Sequence, residues 1–117
     1  DSGYITSIGQ KVTEIDEIQG QYIGLMKFQN EGINFLKSFY TKAKEQSKSG
    51  INILNPKIKF ENSYMTDLLN SLIDSGCRLK DVEIEHGWLE LDSISDYKIY
   101  EEMFSNGTLE KIFSVPR

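Results

Sequence analysis

Val82-Glu83-Ile84-Glu85-His86-Gly87-Trp88-Leu89-Glu90-Leu91-Asp92-Ser93 is the stretch on which the reading of the fold turns. Apolar and acidic residues alternate strictly through residues 82–85, as in a half-buried strand. Beyond the Gly, an extended chain puts Trp88, Glu90 and Asp92 on one face and Leu89 and Leu91 on the other. The apolar positions are even through Ile84 and odd from Leu89, a change of phase that requires a turn or bulge at His86-Gly87. Residues two apart on a strand lie about 6.5–7 Å apart, so Glu90 and Asp92 can share a cation or a charged ligand. Ser93 and Asp96 then have the spacing of a helix capping box. Acids at the C-terminal end of a strand that feeds a helix sit where open α/β sheets place their ligands. A solvated edge-strand face leading into an ordinary N-cap accounts for the same residues equally well.

Upstream, the run Gln21-Tyr22-Ile23-Gly24-Leu25-Met26-Lys27-Phe28 is apolar on both faces, as expected of a strand inside a sheet. Gly24 leaves no side chain to pack, which would permit another group to approach the backbone there. Tyr4–Ile8, between Gly3 and Gly9, reads as an edge or hairpin strand, and residues 12–18 as an acidic loop. Asn30 is expected to cap a long amphipathic helix with Ile33, Leu36, Phe39, Tyr40 and Ala43 on its apolar face, ending at Ser47-Lys48-Ser49-Gly50. Residues 50–62, with Pro56, form a connection. A second helix begins near Tyr64, carries the stripe Met65, Leu68, Leu69, Leu72 and Ile73, and ends at a left-handed Gly76.

Downstream, a helix from about Ile94 to Phe104 places Ile94, Tyr97, Tyr100, Met103 and Phe104 inward. Asn106-Gly107 signals a turn, and residues 109–115 form a further short strand. The resulting order is strand, strand, helix, helix, strand, strand, helix, an α/β arrangement in one domain spanning residues 1–117. It describes part of a mixed sheet with flanking helices.

Composition narrows the function classes. A formal net charge of −5 disfavours phosphate-backbone binding, so nucleic acid is not an expected partner. Lysines 37, 42, 44, 48, 57 and 59 cluster, but with Glu45 and Ser/Asn between them they read as a solvated helix face and loop. A membrane span needs about 20 consecutive apolar residues, and no run approaches that. The start, Asp1-Ser2-Gly3-Tyr4, has no signal-peptide pattern and no initiator Met, which suggests a processed or incomplete chain. Cys77 is the single cysteine, so no intrachain disulfide forms; a reducing, cytoplasmic setting fits. His86 is the single histidine, which removes His-based metal clusters and Ser/His pairs.

Three motifs together resemble a known family. Glu17, Gly20, Tyr22, Gly24-Leu25 and Lys27-Phe28 match an E-x-x-G-x-Y-x-G-L-x-K-F stretch, and Tyr64-Met65-Thr66-Asp67-Leu68-Leu69 matches Y-x-T-D-L-L. Trp88-Leu89-Glu90-Leu91-Asp92-Ser93, with Asp96-Tyr97, is similar to W-x-E-I-D-T/S-x-x-D-L. The pattern resembles the nucleoside-triphosphate transferases of the MobA-like and choline-phosphate types, which include aminoethylphosphonate and sugar-phosphate nucleotidyltransferases. The resemblance implies a Rossmann-like, glycosyltransferase-A-type fold. It also implies transfer of a nucleotidyl group, most readily from CTP, to a small phosphorylated or phosphonylated acceptor, with release of pyrophosphate. Mg²⁺ is the implied cofactor, with Asp92 as first ligand and Glu90 as second.

The family's glycine-rich phosphate loop, the Lys that follows it and a second metal-binding Asp are not found here. The chain thus resembles the C-terminal, acceptor-side half of such an enzyme, with the N-terminal nucleotide-binding half as a needed partner. Trp88 suits both a cation–π wall for an amine and a core or dimer-interface position. Tyr22 and Lys27 are further substrate-binding candidates, although a lysine at a strand end also snorkels without any ligand. Asp67 and Asp96 read as local caps, and Cys77 as a small buried hydrophobe. The rival readings are a non-catalytic interaction or homodimerisation module, and half of a sugar-1-phosphate nucleotidyltransferase.

Overall fold

The computed structural model describes residues 3–113. Three α-helices carry the architecture: α1 (Glu31–Ser47), α2 (Met65–Asp74) and α3 (Ile94–Ser105). Single 3-10 turns lie at Ile15–Glu17, Phe60–Asn62 and Leu109–Lys111. The chain divides into two compact units, Asp1–Asp81 with α1 and α2, and Val82–Arg117 with α3.

All three helices end in the same way. In α2 the Gly76 N–H donates to the Ile73 carbonyl and the Cys77 N–H to that of Leu72, both at 2.9 Å. This is the Schellman pattern, and it requires the left-handed backbone that Gly76 adopts at φ 88°. Gly50 with Ile51, and Gly107 with Thr108, repeat it at the ends of α1 and α3. The expected helix stops at Gly50, Gly76 and Asn106-Gly107 are therefore all present. Asn30 does precede α1, but at φ 51° and without a side-chain cap bond.

In the first unit α1 packs on α2, and the core is the cluster Leu68, Leu69 and Leu72, with Leu72 fully buried. Leu36 and Phe39 of α1, Ile8, Tyr22, Phe28, Leu54, Cys77 and Leu79 close around it. Cys77 is a half-buried free thiol there, placed by the α2 cap. The connection before α2 is held by Asn52, whose buried amide donates to the Ile58 carbonyl (3.0 Å) and Ser63 Oγ (2.9 Å) while accepting from the Leu54 N–H (3.0 Å). Asn70 binds both peptide groups of Ile8, at 2.9 and 2.8 Å. Next to it, a Cβ on Gly9 would come within 3.0 Å of Thr66.

The expected partial Rossmann-like mixed sheet is not formed. Among the described residues the structure is helical, with no strand and one isolated antiparallel bridge, Tyr4 to Lys80. Local backbone geometry accounts for much of this. Residues 21–28 bend at Gly24, where φ is 80°, and no atom lies within 4 Å of a Cβ placed there. Gly24 therefore supplies a left-handed turn rather than room for a neighbour. Residues 82–92 are interrupted by two consecutive left-handed residues, His86 at φ 63° and Gly87 at φ 76°. The turn expected at that dipeptide is present, but the strands expected on either side are not.

Burial differs from expectation in the same places. Val82 is 87% exposed and Ile84 57%, so residues 82–85 have no half-buried face. Residues 4–8 form the single bridge rather than a strand, with the Ile5 N–H on the Leu79 carbonyl at 2.8 Å and Arg78 over the Tyr4 ring. Within residues 109–115, a 3-10 turn replaces the strand through Lys111; Ser114 and Val115 lie outside the described residues. The expected inward face of α3 is also only partial: Tyr100 and Met103 are half-buried, whereas Ile94, Tyr97 and Phe104 are exposed.

Candidate functional site

The second unit presents the acidic candidates just before α3. Asp96, in the first turn of that helix, accepts from the backbone N–H groups of Asp92 (3.1 Å) and Ser93 (2.8 Å) and from the Ser93 hydroxyl (2.8 Å). Ser93 Oγ accepts the Asp96 N–H in return at 3.2 Å, completing the capping box expected from the sequence. The Ser93 hydroxyl bond, aided by the two backbone donors, holds the Asp96 carboxyl below the ordinary carboxylate range. Asp96 is thus committed to its own helix, and it fixes the backbone on which Asp92 is mounted.

Asp92 itself is exposed, and Glu90 is half-buried. Trp88 is 42% exposed and lies one residue beyond the left-handed pair. Behind that turn, the Gly87 N–H donates to the Ile112 carbonyl at 2.8 Å, tying it to the segment after α3. Because residues 88–92 form no strand, the argument that alternation puts Trp88, Glu90 and Asp92 on one face no longer applies. Their proximity rests on sequence adjacency alone.

The donor chemistry suits a hard cation. Two carboxylates match Mg²⁺, which takes one or two such ligands and completes its shell with phosphate oxygens and water. Among the described residues no group of three or more His, Cys, Asp or Glu is arranged to hold a metal by itself. Any cation at Glu90 and Asp92 would therefore draw most of its ligands from substrate and solvent.

Tyr22 and Lys27 belong to the first unit. Tyr22 is half-buried against the Leu68, Leu69 and Leu72 cluster, whereas Lys27 is exposed. Asp67 is occupied locally: Oδ2 accepts the Tyr64 N–H at 2.8 Å, and Oδ1 accepts from the Asn55 side chain at 3.0 Å. This agrees with its expected role as a cap, and it extends that role to the loop before α2. Sequence reasoning passed over Asn52, Asn55 and Asn70, which do most of the polar positioning in this unit. Asn52 and Asn55, in the run Asn52-Ile53-Leu54-Asn55-Pro56, carried a usable signal, since Asn side chains bind backbone two residues on; Asn52 Oδ1 accepts the Leu54 N–H and Asn55 Oδ1 the Lys57 N–H in this way.

No helix among the described residues is long and apolar enough to cross a membrane. No protein-family profile and no solved structure matches the chain. A curated protein of Campylobacter jejuni does: CTP:phosphoglutamine cytidylyltransferase is 38% identical over 101 residues, which is 86% of this chain. A span of that length within 117 residues necessarily takes in residues 17–101, and with them all three motif segments. The chain is therefore similar, across most of its own length, to a segment of a cytidylyltransferase, and it spans 38% of the length of that relative.

Proposed function

We propose that this chain is the acceptor-side part of a CTP-dependent nucleotidyltransferase. The observation that supports this most directly is the 38% identity, over a 101-residue span that includes the three motif segments, to a protein named for CTP and a phosphorylated acceptor. In the proposed reaction, an anionic oxygen of the acceptor's phosphate or phosphonate attacks the α-phosphorus of CTP. The bond from that phosphorus to the bridging oxygen breaks, and pyrophosphate leaves with the electron pair. Chemistry of this kind depends on positioning and charge neutralisation more than on proton transfer.

The residues are assigned accordingly. Asp92, with Glu90, holds a Mg²⁺ ion, which when bound neutralises charge on the reacting phosphates. Lys27 and Tyr22 contact the acceptor, and the Trp88 ring provides a wall for an amine. The acceptor is a small phosphorylated or phosphonylated amino compound of the phosphoglutamine, phosphocholine or aminoethylphosphonate type. Nucleotide binding is supplied by the remaining part of the domain, and the enzyme works in the cytoplasm.

The test is pyrophosphate release by the longer protein containing this chain, with CTP, UTP and GTP each offered against those acceptors. Release with CTP that disappears in Asp92→Asn is the expected result. Release that survives the substitution removes Asp92 from the metal site, and no release with any pair rejects the reading. A second reading, a homodimerising interaction module, draws support from the exposed Val82, Ile94 and Phe104. Sedimentation of a strict monomer at high concentration would reject it.

A further inference from the structure

We propose that the exposed apolar stripe of α3 pairs with the same stripe on a second copy of this chain, the two helices running antiparallel. This deepens the reading of the chain as a homodimerising module and rests on it; nucleotidyl transfer is a separate matter. Ile94, Tyr97, Glu101 and Phe104 recur at the a/d spacing of a two-helix seam, so they share one face of the helix. The Tyr97 hydroxyl donates to Glu101 Oε1 at 3.2 Å, which makes two of them direct neighbours. Ile94 is 77% exposed and Phe104 75%, and Tyr97 is exposed as well. Helix α3 meets the 3-10 turn Leu109–Lys111 of its own unit, and its half-buried apolar residues, Tyr100 and Met103, lie outside the a/d row.

The stripe is complementary to itself in one orientation. Residues 94 and 104 have residue 99 as their midpoint, and so do residues 97 and 101. A twofold axis at that point sets Ile94 against Phe104 of the copy and Tyr97 against Glu101 of the copy. Each contact occurs twice, as an isologous interface requires. The Tyr97 hydroxyl exchanges its acceptor within the helix for the equivalent carboxylate across the seam, so the polar pair keeps its bond on association.

Charge selects against the other orientation. A parallel pair would set Glu101 against Glu101 in the middle of the seam, a like-charge contact. In the antiparallel pair the two carboxylates are offset by four residues, about 6 Å along the axis, and the helix dipoles oppose one another. Three turns of helix make a small seam, below the size class of stable dimers, so the dissociation constant is on the order of 100 μM.

Sedimentation equilibrium of the chain from about 20 μM to about 1 mM, a range that brackets this affinity, tests the pairing. The mass should rise from monomer toward dimer. Ile94→Glu and Phe104→Lys change exposed residues and put each charge at the helix end whose dipole favours it, so α3 is retained, as unchanged circular dichroism would certify. Each variant alone should self-associate about tenfold more weakly, because its charge faces an apolar residue of the copy. An equimolar mixture of the two should regain association. At one end the new carboxylate then meets the new ammonium group, and at the other the Ile94–Phe104 contact is intact. A strict monomer at the highest concentration would overturn the proposal together with the module reading, and would leave the stripe to a different partner. A dimer that neither substitution weakens, or a mixture no more associated than the single variants, would overturn the α3 pairing and leave the module reading standing. Pyrophosphate release is measured separately, so neither result bears on the CTP reaction.

Discussion

Helices α2 and α3 start and stop by the same local devices, yet they sit in regions built differently. Each has an aspartate in its first turn that accepts a backbone N–H from the residue before the helix, Asp67 from Tyr64 and Asp96 from Ser93. Each ends in a Schellman cap on a left-handed glycine. Between those ends α2 buries Leu68, Leu69, Ser71 and Leu72, whereas α3 has no buried residue. The comparison teaches that end signals define where a helix lies, and that burial decides what the helix holds together. Short isolated helices are marginal in water, so α2 depends on its core and α3 on its caps.

Core truncation should separate the two most sharply. Leu72→Ala is expected to cost about 2–5 kcal/mol in chemical unfolding of the first unit, the range for a buried leucine. Ile94→Ala, on an exposed position of α3, should stay within about 0.5 kcal/mol. Equal costs would break the contrast. Next in size is Asn52→Ala, which leaves the Ile58 carbonyl and the Leu54 N–H without their partner and should cost about 1–3 kcal/mol. An unchanged denaturation midpoint would show that the connection before α2 does not need its central amide.

The smaller effects test the caps of α3. Ser93→Ala should cost about 1 kcal/mol of helix stability, read as lost amide-exchange protection in α3 with protection in α2 unchanged. The Asp96 carboxyl sits below its ordinary value of 3.8, chiefly through the Ser93 hydroxyl bond. Its ionised form is the capping form, so its contribution is complete above the ordinary value and is lost as pH falls below it, through the lowered native value. Acid titration of the α3 amides should show that loss in the parent and none in Asp96→Asn. A parent helix with no response on the acid side would remove the carboxylate from the cap.

The contrast also explains what could be read from the sequence. Helix bonds are made within a few residues, so the leucine stripe of α2, the Ser93 and Asp96 box and the three glycine stops were legible in order. Strand bonds need a distant partner in register, and alternation carries no information about whether one is present. Val82–Glu85 alternates correctly and still has no pairing partner among the described residues. The local evidence against a continuous extended run lay in Gly24 and in His86-Gly87, where glycine permits a positive φ without announcing it. Of the candidate site, the adjacency of Trp88, Glu90 and Asp92 and the commitment of Asp96 to its helix were legible. Their common face was not, because it was borrowed from a strand that does not form.

The paired bonds from Asn70 to Ile8 have a consequence for association between molecules. Residues 4–8 are β-prone, and a β-prone run with open peptide groups is a template on which another chain can align. The Asn70 amide occupies both the N–H and the carbonyl of Ile8, as a neighbouring strand would, but it belongs to a helix and cannot propagate. It acts as a stopper on that segment. Asn70→Ala would leave both groups of Ile8 open, so a gain in aggregation should accompany the loss of stability.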